Sequence, residues 1–126
     1  MYDRALIVEM LQQIERALTL VEEEMSNIHS LDDFLSTPTG MLLLDGVCMN
    51  LFAVGETVKN IDRYTHKALL VNYPSIQWQD IMRLRDVIAH HYFEVDAEKV
   101  FAILCDDVPP LLVVIKQMKE DLTKSH

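Results

Sequence analysis

The stretch DRALIVEMLQQIERALTLVEEEMSNI, residues 3–28, decides how the rest of the chain is read. Its apolar side chains, Leu6, Ile7, Met10, Leu11, Ile14, Leu18, Val21 and Met25, recur every three or four positions, the spacing that lines up one face of an α-helix. Glu9, Gln12, Gln13, Glu15 and the run Glu22 to Glu24 fill the other faces and read as a solvated surface. A helix held by one apolar stripe needs partners to cover that stripe, so more helices are expected.

Working outward, SNIHSLDDFLSTPTG breaks the pattern, with Leu31, Phe34 and Leu35 available for one short helical turn. A second long helix is predicted from about Thr39 to Lys67, carried by Leu42, Leu43, Leu44, Val47, Leu51, Phe52, Val54, Val58 and Ile61. Gly46 and Gly55 lie inside it, where glycine costs about 1 kcal/mol relative to alanine, which suggests close backbone approach at both. Asn72-Tyr73-Pro74-Ser75 reads as a turn with Ser75 as a cap for the next helix. A third helix is expected from about Trp78 to His91 on a buried stripe of Ile81, Leu84 and Ile88, ended by residues 93 to 96. Asp96 would cap a short helix through Leu104, and Asp106 and Asp107 before Val108-Pro109-Pro110 mark the start of a last helix through about Leu122. The expected architecture is a single all-α domain over residues 1–126, an antiparallel bundle of four to five helices with short connections.

The totals agree. Half of the 126 residues are apolar and only three are Gly and four Pro, which argues against disorder and turn-rich β folds. Cys48 and Cys105 each sit in an apolar run and read as buried reduced thiols, which with the lack of a leader-like N-terminus predicts a cytoplasmic protein without a membrane role. No apolar run is expected to reach the ~20 residues that span a bilayer. Trp78 and the seven methionines read as core.

A net charge of −9 argues against a general nucleic-acid binder. The charge is uneven, however. Residues 59–91 hold five Lys and Arg (Lys59, Arg63, Lys67, Arg83, Arg85) against Asp62, Asp80 and Asp86, a local +2 that leaves −11 for the remainder. His66, His90 and His91 fall in the same window, so a local anion site is compatible with the total.

That site is expected at RLRDVIAHHYFEVD, residues 83–96. With Ile81, Leu84 and Ile88 buried, an advance of about 100° per residue puts Arg83, Asp86 and His90 on the polar side and Arg85 at its border. Asp86 and His90, four apart, are placed to hydrogen-bond, which would fix an imidazole tautomer. Arg85 can rest its stem on apolar neighbours and offer a planar donor head to an anion. Cleaving RNA without a metal needs a proton acceptor for the 2′-hydroxyl, a donor to the leaving oxygen and a cation for the pentacoordinate phosphate, roles within reach of histidine and arginine. The spacing alone is weak, since a surface Arg and His at a helix end also suit the helix dipole.

Arg85, His90 and Tyr92 fall in R-D-V-I-A-H-H-Y, which resembles the R-x-x-x-x-H-x-Y signature of the HEPN toxins paired with MNT nucleotidyltransferase antitoxins. VGET (54–57), YPSIQW (73–78), YFEVD (92–96) and DDVPPLLVVI (106–115) are similar to that family in the same order. The resemblance implies a HEPN-like helical homodimer formed around the motif helix and a metal-independent endoribonuclease toxin with no cofactor. RNA, with tRNA as a candidate, would be the substrate, and the partner a nucleotidyltransferase antitoxin. It further implies that Arg85 stabilises the phosphate, His90 serves as acid and base, Asp86 orients them, and Tyr92 accepts AMP from the antitoxin, which would silence the toxin. His91 stands where the family commonly has glycine, and it joins Arg83 and Glu56 as an accessory residue, Glu56 by pairing with an arginine of the site. Arg85 and His91 are expected near the dimer axis.

Other readings carry less. Adjacent His90 and His91 diverge by roughly 100° on a helix, and Glu-x-x-His pairs, phosphate loops and nucleophile elbows do not occur. The rival is a non-catalytic HEPN-like dimer that binds a nucleotide or its partner nucleotidyltransferase, favoured by the acidic total and by His91.

Overall fold

The computed structural model describes residues 2–90 and 97–124, with Ala89 and His90 described by backbone only. Seven α-helices and no strand occur among the described residues: α1 Arg4–Glu24, α2 Leu31–Leu35, α3 Pro38–Tyr64, α4 Trp78–Met82, α5 Leu84–His90, α6 Ala97–Asp106 and α7 Val108–Lys124. The all-α expectation holds, and the count rises because the short turn at Phe34 is a complete helix and the third helix is divided.

Each boundary has a local cause. Asp3 caps α1 by accepting from the Leu6 amide at 3.2 Å, and Thr37 caps α3 by accepting from Gly40 at 2.9 Å with Pro38 in the first turn. α1 stops at Glu24, short of Ile28, and a 3₁₀ turn over Met25–Asn27 comes next. α3 ends at Tyr64 in a Schellman motif: His66 N–H donates to the Arg63 carbonyl at 3.1 Å and Lys67 N–H to that of Asp62 at 2.8 Å. The motif holds His66 and Lys67 at φ values of 53° and 64°, left-handed backbone that usually falls to glycine or asparagine.

Ser75 does not cap α4. Gln77 occupies that position without a side-chain bond, and the preceding turn is pinned instead by the Trp78 indole, which donates to the Tyr73 carbonyl at 2.9 Å. The expected continuous helix from Trp78 to His91 is interrupted at Arg83, where ψ opens to −6°. The joint lies directly on Gly55, whose absent Cβ would stand 3.0 Å from the Ile81 carbonyl oxygen and 3.3 Å from the Arg85 amide. Gly46, expected to serve the same purpose, has nothing within 4 Å. The proposed Asp96 cap and the end of the third helix lie outside the described residues; α6 continues past Leu104 to Asp106.

The core is one cluster. α1 buries Ile7, Met10, Leu11, Ile14, Leu18 and Val21 against α7 and α3. α3 buries Leu44, Val47, Leu51, Val54, Val58 and Ile61, and also meets α2, α4 and α5. α3 and the α4–α5 pair run antiparallel, since Gly55 faces the Ile81-to-Arg85 joint while Lys59 to Lys67 face Gln79 and Met82. Phe34 of α2 meets Phe101 of α6 edge to face at 6.2 Å. Trp78 is buried as expected, but Met41, Met49 and Leu42 of α3 and Leu6 of α1 are exposed. Cys48 is buried, and burial, with Asp45 adding to it, pushes its thiol up to about 11 and so keeps it unreactive. Cys105 is exposed, contrary to expectation: Ala97, Val100 and Leu104 make the inner stripe of α6, and the next residue turns away. α3 is long and apolar enough by composition to cross a bilayer, contrary to the expectation from uninterrupted apolar runs; within the bundle it is a core helix buried along one side.

Candidate active site

Arg85 sits in the first turn of α5, beside the joint with α4, and reaches across to α3. Its Nε lies 2.9 Å from Oε1 of Glu56, an ion pair between side chains that are 47% and 36% exposed. That Glu56 oxygen is itself sealed from solvent and makes no aligned hydrogen bond among the described residues, so its contact with Arg85 is chiefly coulombic. One turn earlier on α3, the Phe52 ring lies 6.0 Å from the guanidinium carbon. On the outer side, Nη1 is 4.0 Å from Oδ1 of Asp86. Three neighbours thus surround the guanidinium while nearly half of the Arg85 side chain stays open to solvent.

This placement follows from the sequence. Leu84 and Ile88 are buried between α5 and the bundle, which turns Arg85 and Asp86 outward at the edge of that contact. Gly55 lets the α5 backbone lie close enough for the next residue of α3, Glu56, to meet Arg85. The expected pairing of Glu56 with a site arginine therefore forms, and Asp86 joins it. Arg83 does not: it is exposed and lies 3.9 Å from Asp80 on its own side of the joint. His90 is the last residue of α5, one turn beyond Asp86, and its side chain lies outside the described residues. His91 and Tyr92 lie outside them altogether. Phe52 reads as core from its spacing, and no sequence signal separates a ring under a guanidinium from a ring inside a bundle. Among the described residues, no group of three or more His, Cys, Asp or Glu could hold a metal ion.

An all-α bundle that holds an arginine half open beside a cross-helix carboxylate, five residues ahead of a histidine on the same helix, has the features expected of a HEPN-type ribonuclease domain. The chain belongs to the HepT-like ribonuclease family, whose model matches residues 9–118. It is 33% identical over 101 residues to the "Probable ribonuclease HepT" of Thermococcus cleftensis, an alignment covering 80% of this chain and 84% of the relative. It is 26% identical over 119 residues to the "Putative RNase MJ0127" of Methanocaldococcus jannaschii, covering 94% and 88%. No solved structure matches it.

Proposed function

We propose that the chain is a cytoplasmic endoribonuclease toxin that cuts RNA without a metal and is silenced by a nucleotidyltransferase antitoxin. In the reaction, the ribose 2′-oxygen attacks the adjacent phosphorus and the P–O5′ bond breaks, leaving a 2′,3′-cyclic phosphate and a 5′-hydroxyl. His90 takes the 2′-hydroxyl proton, a protonated imidazole returns one to the departing 5′-oxygen, and Arg85 stabilises the charge that builds on the phosphorane. Asp86 orients this pair, His91 assists it, and Glu56 positions Arg85.

The observation that carries the reading is the Arg85–Glu56 contact at 2.9 Å in a chain of the HepT-like family. With Nε beside Glu56, the terminal edge of the guanidinium, met among the described residues by Asp86 at 4.0 Å, can offer paired donors to the oxygens of a phosphate. A homodimer would bring two such sites to one cleft and supply the second imidazole. Leu42 and Met49, exposed two turns apart on α3, the latter within a turn of Phe52, favour a partner copy there. Tyr92, two residues past His90, is the proposed AMP acceptor; nucleotides attached beside the site would exclude RNA by volume and by charge.

The test is incubation of the purified chain, Arg85→Ala and His90→Ala with total tRNA in chelator. Cutting by the parent alone is expected, with 2′,3′-cyclic phosphate ends. Intact RNA in all three tubes would leave a binding module in place of the nuclease. Growth arrest relieved by co-expressing a neighbouring nucleotidyltransferase, with AMP found on Tyr92 by mass spectrometry, tests the antitoxin.

A further inference from the structure

Beyond Glu56, the same face of α3 continues through Lys59 and Arg63, spaced three and four residues apart, into an open cleft of about 540 Å³. Lys59, Asp62, Arg63, His66 and Lys67 line it from α3 and its Schellman end, with Gln79 and Met82 opposite on α4. In a chain of net charge −9 this is a concentration of cations around one acid. Arg63 is held ready, donating from Nη2 to Asn60 Oδ1 at 3.1 Å with its guanidinium carbon 5.3 Å from the exposed Tyr64 ring. The left-handed backbone at His66 and Lys67 places both side chains on the rim at positions where glycine would be unstrained.

A second cavity of about 340 Å³ shares Asp62, Lys67, Gln79 and Met82 with the first and is otherwise lined by Leu70, Val71, Pro74 and Trp78. The two form one bipartite groove: Lys59, Arg63 and His66 at one end, Leu70, Val71, Pro74 and Trp78 at the other, and Asp62, Lys67, Gln79 and Met82 at the junction. That order matches phosphate, ribose and base. Cations take the phosphate, Asp62 can accept from ribose hydroxyls, Gln79 can meet a base edge, and Trp78, Pro74 and Val71 offer the ring an apolar wall. An acidic peptide would meet the same cations but would find Asp62 and the apolar slot unmatched.

We propose that this groove is a nucleotide subsite whose occupant is a nucleotide flanking the scissile bond of the RNA. Naming RNA as the source rests on the ribonuclease reading above. The geometry favours it because Met82, in the groove, precedes Arg85 by three residues, and Arg63 lies two helical turns, about 10 Å, along α3 from Glu56. One strand can therefore lie along α3 with one phosphate at Arg85 and another at Arg63.

Trp78 is the only tryptophan in the chain and lines the slot, so its emission reports occupancy without any catalysis. The full-length protein is titrated with a 2′-O-methyl RNA oligonucleotide, which lacks the attacking hydroxyl, and separately with AMP. The oligonucleotide is expected to change Trp78 emission. Arg63→Glu should weaken that binding about tenfold or more, while Lys116→Glu, the same charge change on the exposed face of α7, should alter it less than about threefold. Arg63→Ala should flatten the dependence of log affinity on log salt by about 0.7. Lys59→Glu, in mid-helix on the same face, is the second variant should Arg63→Glu disturb the helix end by circular dichroism, and it should weaken binding likewise. Equal losses for Arg63→Glu and Lys116→Glu, or a silent Trp78, would overturn the subsite. A response to AMP with none to the oligonucleotide would overturn RNA as its source. A parent protein that cuts no RNA yet shows the Arg63-dependent Trp78 response would defeat the nuclease reading and leave the nucleotide subsite standing.

Discussion

Two cations reach across helices to a glutamate at the same distance, and they do different things. Lys119 of α7 lies 2.9 Å from Glu15 of α1 and also donates to Gln12 at 2.8 Å, with the paired side chains only 26% and 21% exposed. Arg85 of α5 lies 2.9 Å from Glu56 of α3, in a more open setting, and among the described residues its terminal nitrogens are met by Asp86 at 4.0 Å. The lysine's donors turn inward and tie the two helices that make the largest contact in the bundle. The arginine is tied by one nitrogen and presents the rest. Distance is thus a poor guide to purpose; the donors left over after pairing are the better one.

The comparison breaks most sharply at Arg85. Arg85→Ala is expected to lower RNA cleavage about 10²-fold or more while moving the melting temperature little, read by cleavage assay and thermal melting on the same preparation. Next is its tether: Glu56→Gln should lower cleavage about tenfold by loosening the guanidinium plane, an effect on kcat more than on KM. Gly55→Ala comes third. In an exposed helix this change would add up to about 1 kcal/mol of stability, but here a Cβ meets the Ile81 carbonyl at 3.0 Å. A net loss of about 1 kcal/mol in urea unfolding is expected, with cleavage reduced because Arg85 moves with the joint. Lys119→Met should show the reverse of Arg85→Ala, costing about 1 kcal/mol of stability and leaving cleavage unchanged.

The smallest effect belongs to a second tie on the structural side, where the Tyr73 hydroxyl donates to Asp121 at 2.7 Å. That bond, with one from Gln117, holds the Asp121 carboxyl below its ordinary value, so its stabilisation is present above about pH 4 and fades as pH falls through the folded value. Burial, and then Asp121, pushes Tyr73 up to about 12, so ionising it costs stability between about pH 10 and 12. Urea unfolding of Tyr73→Phe should therefore differ most from the parent near neutrality. The gap should close below about pH 4 and again above about pH 10. A gap that stays constant with pH would mean the bond contributes nothing.

Legibility in the sequence divides along the same line. The stripes of α1 and of Ile81, Leu84 and Ile88 could be read because periodicity reports which face is buried. Runs defeat that logic. Leu42, Leu43 and Leu44 span about 200° of helix, so not all can face the core, and Leu42 faces out. Cys105 follows Leu104 and turns away for the same reason. Glu56 was legible as a partner for an arginine of the site from the VGET resemblance, and the structure shows that arginine to be Arg85. Phe52 was not, since aromatic rings read as core wherever they fall. The break at Arg83 has no proline or glycine to announce it, and it arises from how two backbones meet over Gly55.

The left-handed turn at His66 and Lys67 bears on how this fold would respond to selection. Each of those residues holds a backbone shape that L side chains resist, at about 1 kcal/mol apiece. Breeding the protein for heat tolerance alone would favour glycine there early, and each such gain would erase one cation or imidazole from the rim of the groove. Warm-adapted descendants that kept both side chains against that gradient would be telling us that the rim matters to the living cell.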